Sequence, residues 1–573
     1  MTRSIHLALP WRLSLVRSRV ARSHMTRSYM TRSRVTMVSY ARIHTLLLIA
    51  ITCVAFALRL GLLSAFPLRE DEAIYGYWAR TVPSDPFFLH VWPDKPPLFI
   101  WLLSGSFALF GPSEAAARLV SIFASTLTIP LVAVGAQRLW LSRRAALMAA
   151  LLLTLNPYAV SFAPTAYTDS LLVLFGTGAV VLALRGRWLG AGLLLGAACM
   201  TKQQGLFYLP LVVVLLLVLN LSRSRESSGW LRERWRVRVI ALSWLLLGVG
   251  LIVIPVLLWD SQRWAVAPSP WDLAQKTYAP LHWLPAEQWL DRWVEWREWL
   301  WYLGGSWTVW AMLGVAGVMA VGLAMHRPQV ALLTGWGGAF TLVHLITSVQ
   351  AWDRYLLPMA PWLAWMASGP LAYTLMHGLR ATASPWQRQL LALLVLLGLI
   401  GFIRPGLAAA QGQMPIGGDH GDYAGLTAAI ASLDSILDGP DGRDSLVLYH
   451  QVLGWHFRFY LFDALQPRGD DPPPIDLRWF PSSAYLADNA AKTPYPLKVL
   501  IVPDWATPRD LPLHVALRGL TLEPRLHVGR FTVLEIIQPV RPVCHWCMSI
   551  TPSAPFFAPH EAILPFTPQM PTP

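Results

Sequence analysis

Long stretches of this chain carry no charge, and that limits its possible folds more than any other feature. The runs Leu206–Leu221 and Ile240–Trp259 approach or reach the roughly 20 residues an α-helix needs to cross a bilayer. Of 573 residues, 55% are hydrophobic and 14% are charged, whereas soluble domains carry roughly 25% charged residues. A soluble fold could not hide so much apolar surface, so a polytopic α-helical membrane protein is expected.

The formal charge of +14 raises the question of nucleic acid, because basic proteins often neutralise phosphates along a groove. Its distribution argues against that. Residues 1–42 hold nine Arg and no acid, and most other Arg sit in short loops between apolar runs. This is the footprint of cytoplasmic loops, since Lys and Arg resist crossing. Read together, apolar runs and basic loops give eleven spans, near 44–66, 116–140, 145–163, 168–184, 189–200, 206–221, 239–258, 303–325, 328–349, 356–377 and 389–406. The N-terminus falls inside and the C-terminus outside, in a cell (cytoplasmic) membrane. Segment 189–200 is short for a crossing, so a tilted, broken or re-entrant helix is expected there.

Four regions follow. Residues 1–43 form a basic cytoplasmic extension, expected to be disordered, in which Met1-Thr-Arg-Ser recurs at Met25 and Met30. Residues 44–411 form the transmembrane domain, with outer loops at 67–115 and 259–302. Residues 412–538 have the composition of a small extracytoplasmic α/β domain. Its expected elements are helices at Tyr423–Leu437 and Pro508–Leu517, buried strands at Ser445–His450 and Lys498–Val502, and a hairpin around Val528-Gly529-Arg530. Residues 539–573 are a Pro-rich tail. Cys53 and Cys199 lie in apolar spans; Cys544 and Cys547, with His545 between them, are at most half a zinc site.

Ionisable groups beside hydrocarbon cost a few kcal/mol unless paired or hydrated, so their default reading is functional. On the outer side, Leu68-Arg-Glu-Asp-Glu-Ala-Ile-Tyr-Gly-Tyr-Trp-Ala-Arg80 would place Asp71, Tyr75 and Trp78 on one helix face, although acids also collect at helix N-termini simply to meet the dipole. Val91-Trp-Pro-Asp-Lys-Pro-Pro-Leu98 is rigid and extended, because residues before proline avoid the helical region. It delivers Asp94 and Lys95 to the apolar run Leu98–Phe110, which is short enough to lie in the interface. Asp169, Lys202 in Thr201-Lys-Gln-Gln-Gly205, and Arg354 with Asp353 as a local partner stand at the outer ends of other spans. Each signal is weak, but together they gather acids and cations around one outer-facing site.

The ordered set Asp71-Glu72 with Tyr75, Lys95-Pro96-Pro97-Leu98, Phe110-Gly111, Arg118-Leu119, Thr168-Asp169, Thr201-Lys202 and Arg354-Tyr355-Leu356-Leu357-Pro358 resembles the GT-C membrane glycosyltransferases. The resemblance is to the dolichyl-phosphate-mannose-protein mannosyltransferase family, including its bacterial aminoarabinose (lipid A) transferase branch, and spans about residues 44–377. It implies a GT-C fold, Asp71 as the catalytic carboxylate, and Glu72, Tyr75, Asp94, Lys95, Asp169, Lys202, Arg354 and Tyr355 as substrate-binding residues. The lipid A branch has an arginine where this chain has Ile74, so the donor or acceptor is expected to differ.

The implied activity is inverting transfer of a hexosyl or pentosyl group from a polyprenyl-phosphate donor to a lipid, glycan or protein acceptor. Cations near the departing phosphate would stand in for a strong general acid. No cofactor is required, and the sequence leaves a divalent metal open, with no convincing ligand cluster. No nucleotide-binding signature appears in the membrane core. Membrane lipids, the donor and the acceptor are the expected partners, and no nucleic acid is. A multi-pass transporter or flippase is the rival reading, but the charges gather on one face and no internal repeat relates two halves.

Overall fold

The computed structural model describes residues 41–222, 230–278, 281–324, 327–377, 384–418, 422–437, 445–467, 469 and 471–538. The expected disordered extension, the Pro-rich tail and the Cys544/Cys547 pair lie outside the described residues, apart from residues 41–43.

The membrane region is built from helices α1 (Ala41–Leu60), α2 (Glu70–Thr81), α3 (Leu98–Phe110), α4 (Glu114–Trp140), α5 (Arg143–Leu155), α6 (Pro157–Ser161), α7 (Asp169–Leu184), α8 (Trp188–Thr201) and α9 (Tyr208–Ser222). It continues with α10 (Trp230–Arg263), α11 (Pro270–Tyr278), α12 (Trp289–Tyr302), α13 (Trp307–Ala324), α14 (Pro328–Ile346), α15 (Met359–His377) and α16 (Pro385–Ala410). A helix overlaps each predicted span. Among the described residues, five are long and apolar enough to cross alone, or six if α12 and α13, bent by 99° at their junction, count as one span. Length alone therefore gives a multi-pass protein, and the figure of eleven rests on the loop charges.

Local chemistry sets the helix boundaries. Ser113, Ser142 and Asn156 accept from the backbone N–H groups of Ala116, Ala145 and Ala159 and so cap α4, α5 and α6. The short α8 is held by close packing on α10. A Cβ on Gly192 would lie 2.1 Å from the Leu245 carbonyl, and one on Gly248 would lie 2.3 Å from that of Leu189. Such approaches need glycine, and in lipid they replace the hydrophobic drive that water would supply. Arg59, fully buried in α1, donates to Ser125 Oγ at 2.9 Å and to the Leu153 carbonyl at 3.2 Å. It thereby satisfies a backbone carbonyl that the end of α5 leaves without a helical partner.

Beyond Ala410 come α17 (Leu426–Leu437), β1 (Leu446–His450), α18 (Gly454–Tyr460), β2 (Ile475–Trp479), α19 (Ser483–Lys492), β3 (Leu497–Pro503), α20 (Leu511–Leu517), β4 (Thr521–Val528) and β5 (Phe531–Ile537). The sheet order is β2-β1-β3-β5-β4; β1 pairs in parallel with β2 and β3, and β5 runs antiparallel to β3 and β4. Both faces are covered, which explains the unbroken apolar run in β1. Leu446 and Leu448 join α17 and α18 in one core, while Val447 and Tyr449 join α19 and α20 in the other. The hairpin turns at Gly529, where φ is +58° and a Cβ would lie 2.1 Å from the Ala424 carbonyl.

This domain grips α2. Tyr460 accepts from the Leu68 N–H at 2.8 Å and donates to Glu114 at 3.0 Å. Arg80 donates to the Phe459 carbonyl and to Asp463, both at 2.7 Å. Gly76 leaves no room for a Cβ beside the Phe459 ring, which would be 2.8 Å away.

Candidate active site

The start of α2 sends three successive acids into three environments. Glu72 turns inward and is fully buried. Its Oε1 accepts from Arg118 Nε at 3.1 Å and the Ala166 N–H at 2.8 Å; its Oε2 accepts from Arg118 Nη2 at 3.0 Å and the Arg69 N–H at 2.9 Å. Burial alone would raise its pKa, but Arg118 and Arg69 outweigh burial and hold it at about 2. Glu72 thus ties α2 to α4, and its geometry is that of a structural anchor rather than of the expected substrate ligand. Asp71 turns the other way and pairs with Arg354 Nη1 at 2.6 Å, with 35% of its side chain exposed against 12% for Arg354. Glu70 lines an open cavity shared with the C-terminal domain.

Arg354 lies in a tight turn, Asp353–Leu356. Asp353, expected as its partner, instead accepts from the Arg354 and Gly417 backbone N–H groups at 2.7 and 2.9 Å. It fixes the turn and frees the guanidinium to reach Asp71. The guanidinium lies 5.0 Å from the Tyr167 ring and 4.9 Å from that of Trp352. Burial works against its charge, and Asp71 outweighs burial.

Lys95 is 4% exposed, donating to Asp94 at 2.9 Å and to the Tyr278 hydroxyl at 2.6 Å. Burial lowers its pKa, with Asp94 and then Asp71 opposing. The loop before it is folded by Asp85, whose carboxylate accepts from the N–H groups of Leu89, His90 and Val91. Lys202, at the polar break after α8, donates to Asp169 at 2.6 Å and lies 4.4 Å over the Tyr355 ring. Burial pushes it down to about 8, with Asp169 opposing. Gln203 bridges this break to the Asp94 carbonyl at 3.1 Å.

These pairs form one cluster. Lys95 feels the charges of Asp71 and Arg354, and Lys202 feels those of Arg354 and Lys95. Tyr75, buried below Asp71, has its hydroxyl pKa raised by burial and by Asp71, with Arg354 opposing. Segments 71–75, 94–95, 169, 202 and 354–355 therefore converge, with Glu72 bonded instead to Arg118 and the Arg69 and Ala166 N–H groups. Sequence reasoning did not single out Tyr278, Tyr167 or Gln203. Tyr278 ends a helix in the Trp-rich loop without any motif, whereas Tyr167 and Gln203 adjoin segments already marked. Among the described residues no group of three or more His, Cys, Asp or Glu is arranged to hold a metal.

The profile of the dolichyl-phosphate-mannose-protein mannosyltransferase family matches residues 94–259, a segment that contains Lys95, Asp169 and Lys202. The structure is similar to ArnT from Cupriavidus metallidurans bound to undecaprenyl phosphate, at 16% identity over 87% of this chain and 98% of that one, with a TM-score of 0.54. For the apo state of the same protein the values are 17%, 87%, 98% and 0.56. The fold is that of the GT-C glycosyltransferases. The Archaeoglobus fulgidus oligosaccharyltransferase also aligns, at 11% identity over 84% of this chain and 73% of that one, with a TM-score of 0.49. No curated protein matches the sequence. The cluster stands where α2, the α8–α9 break and the turn before α15 meet. The resemblance drawn from the ordered motifs is thus borne out.

Proposed function

We propose that the protein is an inverting glycosyltransferase that moves a sugar from a polyprenyl-phosphate donor to an acceptor hydroxyl at the outer face of the membrane. The observation carrying this reading is the 2.6 Å pair of Asp71 with Arg354, beside two further buried cations, Lys95 and Lys202. Each of the three cations is held in an ion pair, with Asp94, Asp169 and Asp71, and Asp71 is the most exposed of the three carboxylates, so a donor phosphate can displace it from Arg354. The ArnT structure with bound undecaprenyl phosphate lends support to a donor of that class.

In the proposed reaction the donor phosphate competes with Asp71 for Arg354. The freed carboxylate then takes the proton as the acceptor oxygen attacks the anomeric carbon. The bond from that carbon to the phosphate oxygen breaks, and its electron pair leaves with the polyprenyl phosphate, stabilised by Arg354, Lys95 and Lys202. A single displacement inverts the anomeric centre. An apolar groove of about 500 Å³, walled by Leu342, Leu345, Met359 and Trp362, begins four residues beyond Tyr355 and offers a bed for the prenyl tail.

The test is incubation of the purified chain in lipid nanodiscs with a panel of polyprenyl-phosphate sugars and acceptors. The expected result is release of polyprenyl phosphate coupled to formation of a glycoside whose anomeric configuration is opposite to the donor's. Retention of configuration, or no release from any donor, would refute the proposal.

A further inference from the structure

We propose that the open cavity between the start of α2 and the carboxyl ends of β1 and β2 is the acceptor subsite, built to hold a neutral saccharide ring. This rests on the glycosyltransferase reading above and deepens it.

The open cavity has a volume of about 480 Å³ and is lined by Glu70, His450, Gln451, Trp455, Arg458 and Trp479, with Val452 and Gly454 completing its wall. That is within the roughly 300–1,000 Å³ usual for small-molecule sites. The carboxyl ends of parallel strands are where open α/β sheets bind ligands, and His450 and Trp479 are the last residues of β1 and β2. Glu70, adjacent in sequence to Asp71, also lines the cavity. A ring held here therefore sits beside the helix that carries the proposed base.

The lining chemistry selects the ligand class. Trp479 ends its strand 57% exposed, which leaves its indole face open for a ring to stack on. Trp455 is braced edge-on to Trp78, with ring centroids 6.5 Å apart, and lies 5.9 Å from Tyr77, so its orientation is fixed. One carboxylate, one guanidinium, one carboxamide and one imidazole surround the two indoles. Burial, with Arg458 adding to it, pushes His450 down to about 4, so its neutral ring both donates and accepts. The formal charges of Glu70 and Arg458 cancel. Among the described lining residues a phosphate or carboxylate would find one cation, Arg458, whereas a polyhydroxylated ring finds donors, acceptors and a flat apolar face together.

The test is saturation-transfer NMR on the full chain in nanodiscs. The probes are methyl α-mannopyranoside, methyl N-acetyl-β-glucosaminide and methyl β-arabinopyranoside, their octyl glycosides, and inorganic phosphate as an anion control. At least one glycoside should receive saturation on its ring protons, falling at least fivefold in Trp479→Ala and in Gln451→Ala and persisting in Trp479→Phe. Binding of the octyl form alone would assign a lipid-borne acceptor; binding of the methyl form would assign a soluble or protein-borne glycan. No saturation of any glycoside, equal saturation in both alanine variants, or displacement by phosphate would overturn the subsite. Glycoside binding that depends on Trp479, without sugar transfer from any donor, would sink the glycosyltransferase reading alone. Transfer without such binding would sink the subsite alone.

Discussion

Glu72→Gln changes almost no volume and removes one charge, so its effect isolates what that carboxylate does. Four donors converge on it: two from Arg118 and the backbone N–H groups of Arg69 and Ala166. A carboxamide turned either way points its NH₂ at two of those four donors, stranding both and leaving Arg118 as a buried cation without its counter-charge. Breaking a buried pair in this way costs about 3–5 kcal/mol. Arg118 keeps the carbonyls of Leu63, Phe66 and Pro67 at 3.2, 2.9 and 3.0 Å, which favours the lower figure. About 3 kcal/mol is a shift of roughly a hundredfold in the folded population.

Denaturation of detergent-solubilised protein should show this loss, and a double-mutant cycle with Arg118→Met should be strongly non-additive, because removing both partners leaves no stranded charge. A Glu72→Gln variant within about 1 kcal/mol of the parent, with donor affinity lost instead, would refute the anchoring role and return Glu72 to the substrate site.

Three further outcomes are expected. Lys202 has its pKa lowered to about 8 by burial, and a bound phosphate would favour its charged form; donor affinity should therefore weaken as pH rises through about 8, and Lys202→Arg should flatten that slope in a binding titration. A side chain at Gly76 meets Phe459, so Gly76→Val should cost about 1–3 kcal/mol by overpacking and speed hydrogen exchange over residues 454–460. Burial holds His456 at about 4, below its ordinary 6.5, while it bonds the Leu68 carbonyl at 3.0 Å. Its contribution is complete above pH 6.5 and is lost as pH falls through about 4, so exchange of α18 should rise over that window and rise less in His456→Asn.

Much of the fold was legible because its signals are local. Apolar runs marked helices even where the helix is too short to cross alone, as at α7 and α8, and the apolar strands Leu446–His450 and Leu497–Pro503 announced a sheet buried on both faces. Three elements of the C-terminal domain went unmarked: α18 is an aromatic-rich turn of helix, β2 carries Asp476 and Arg478 between its apolar residues, and α19 buries Leu486 with only Ser483, Ala487 and Ala490 beside it. At the site, sequence order brought the right segments to notice, but it could not tell neighbours apart. Asp71 and Glu72 read as one acidic pair, and only the packing of Arg118 against Glu72 and Arg354 against Asp71 separates the anchor from the reactive candidate. In the same way Asp353 looked like the partner of Arg354, although backbone donors occupy it. Tyr278 was invisible because its link to Lys95 spans 183 positions.

The most direct measurement compares the parent chain with Asp71→Asn, both in nanodiscs, for binding of a polyprenyl-phosphate sugar and for its transfer. With the acid at 71 acting as general base, the variant should bind donor at least as well, since Arg354 is released from its ion pair, while transfer falls by roughly 10²–10⁴-fold. Transfer at the parental rate in Asp71→Asn would contradict the account.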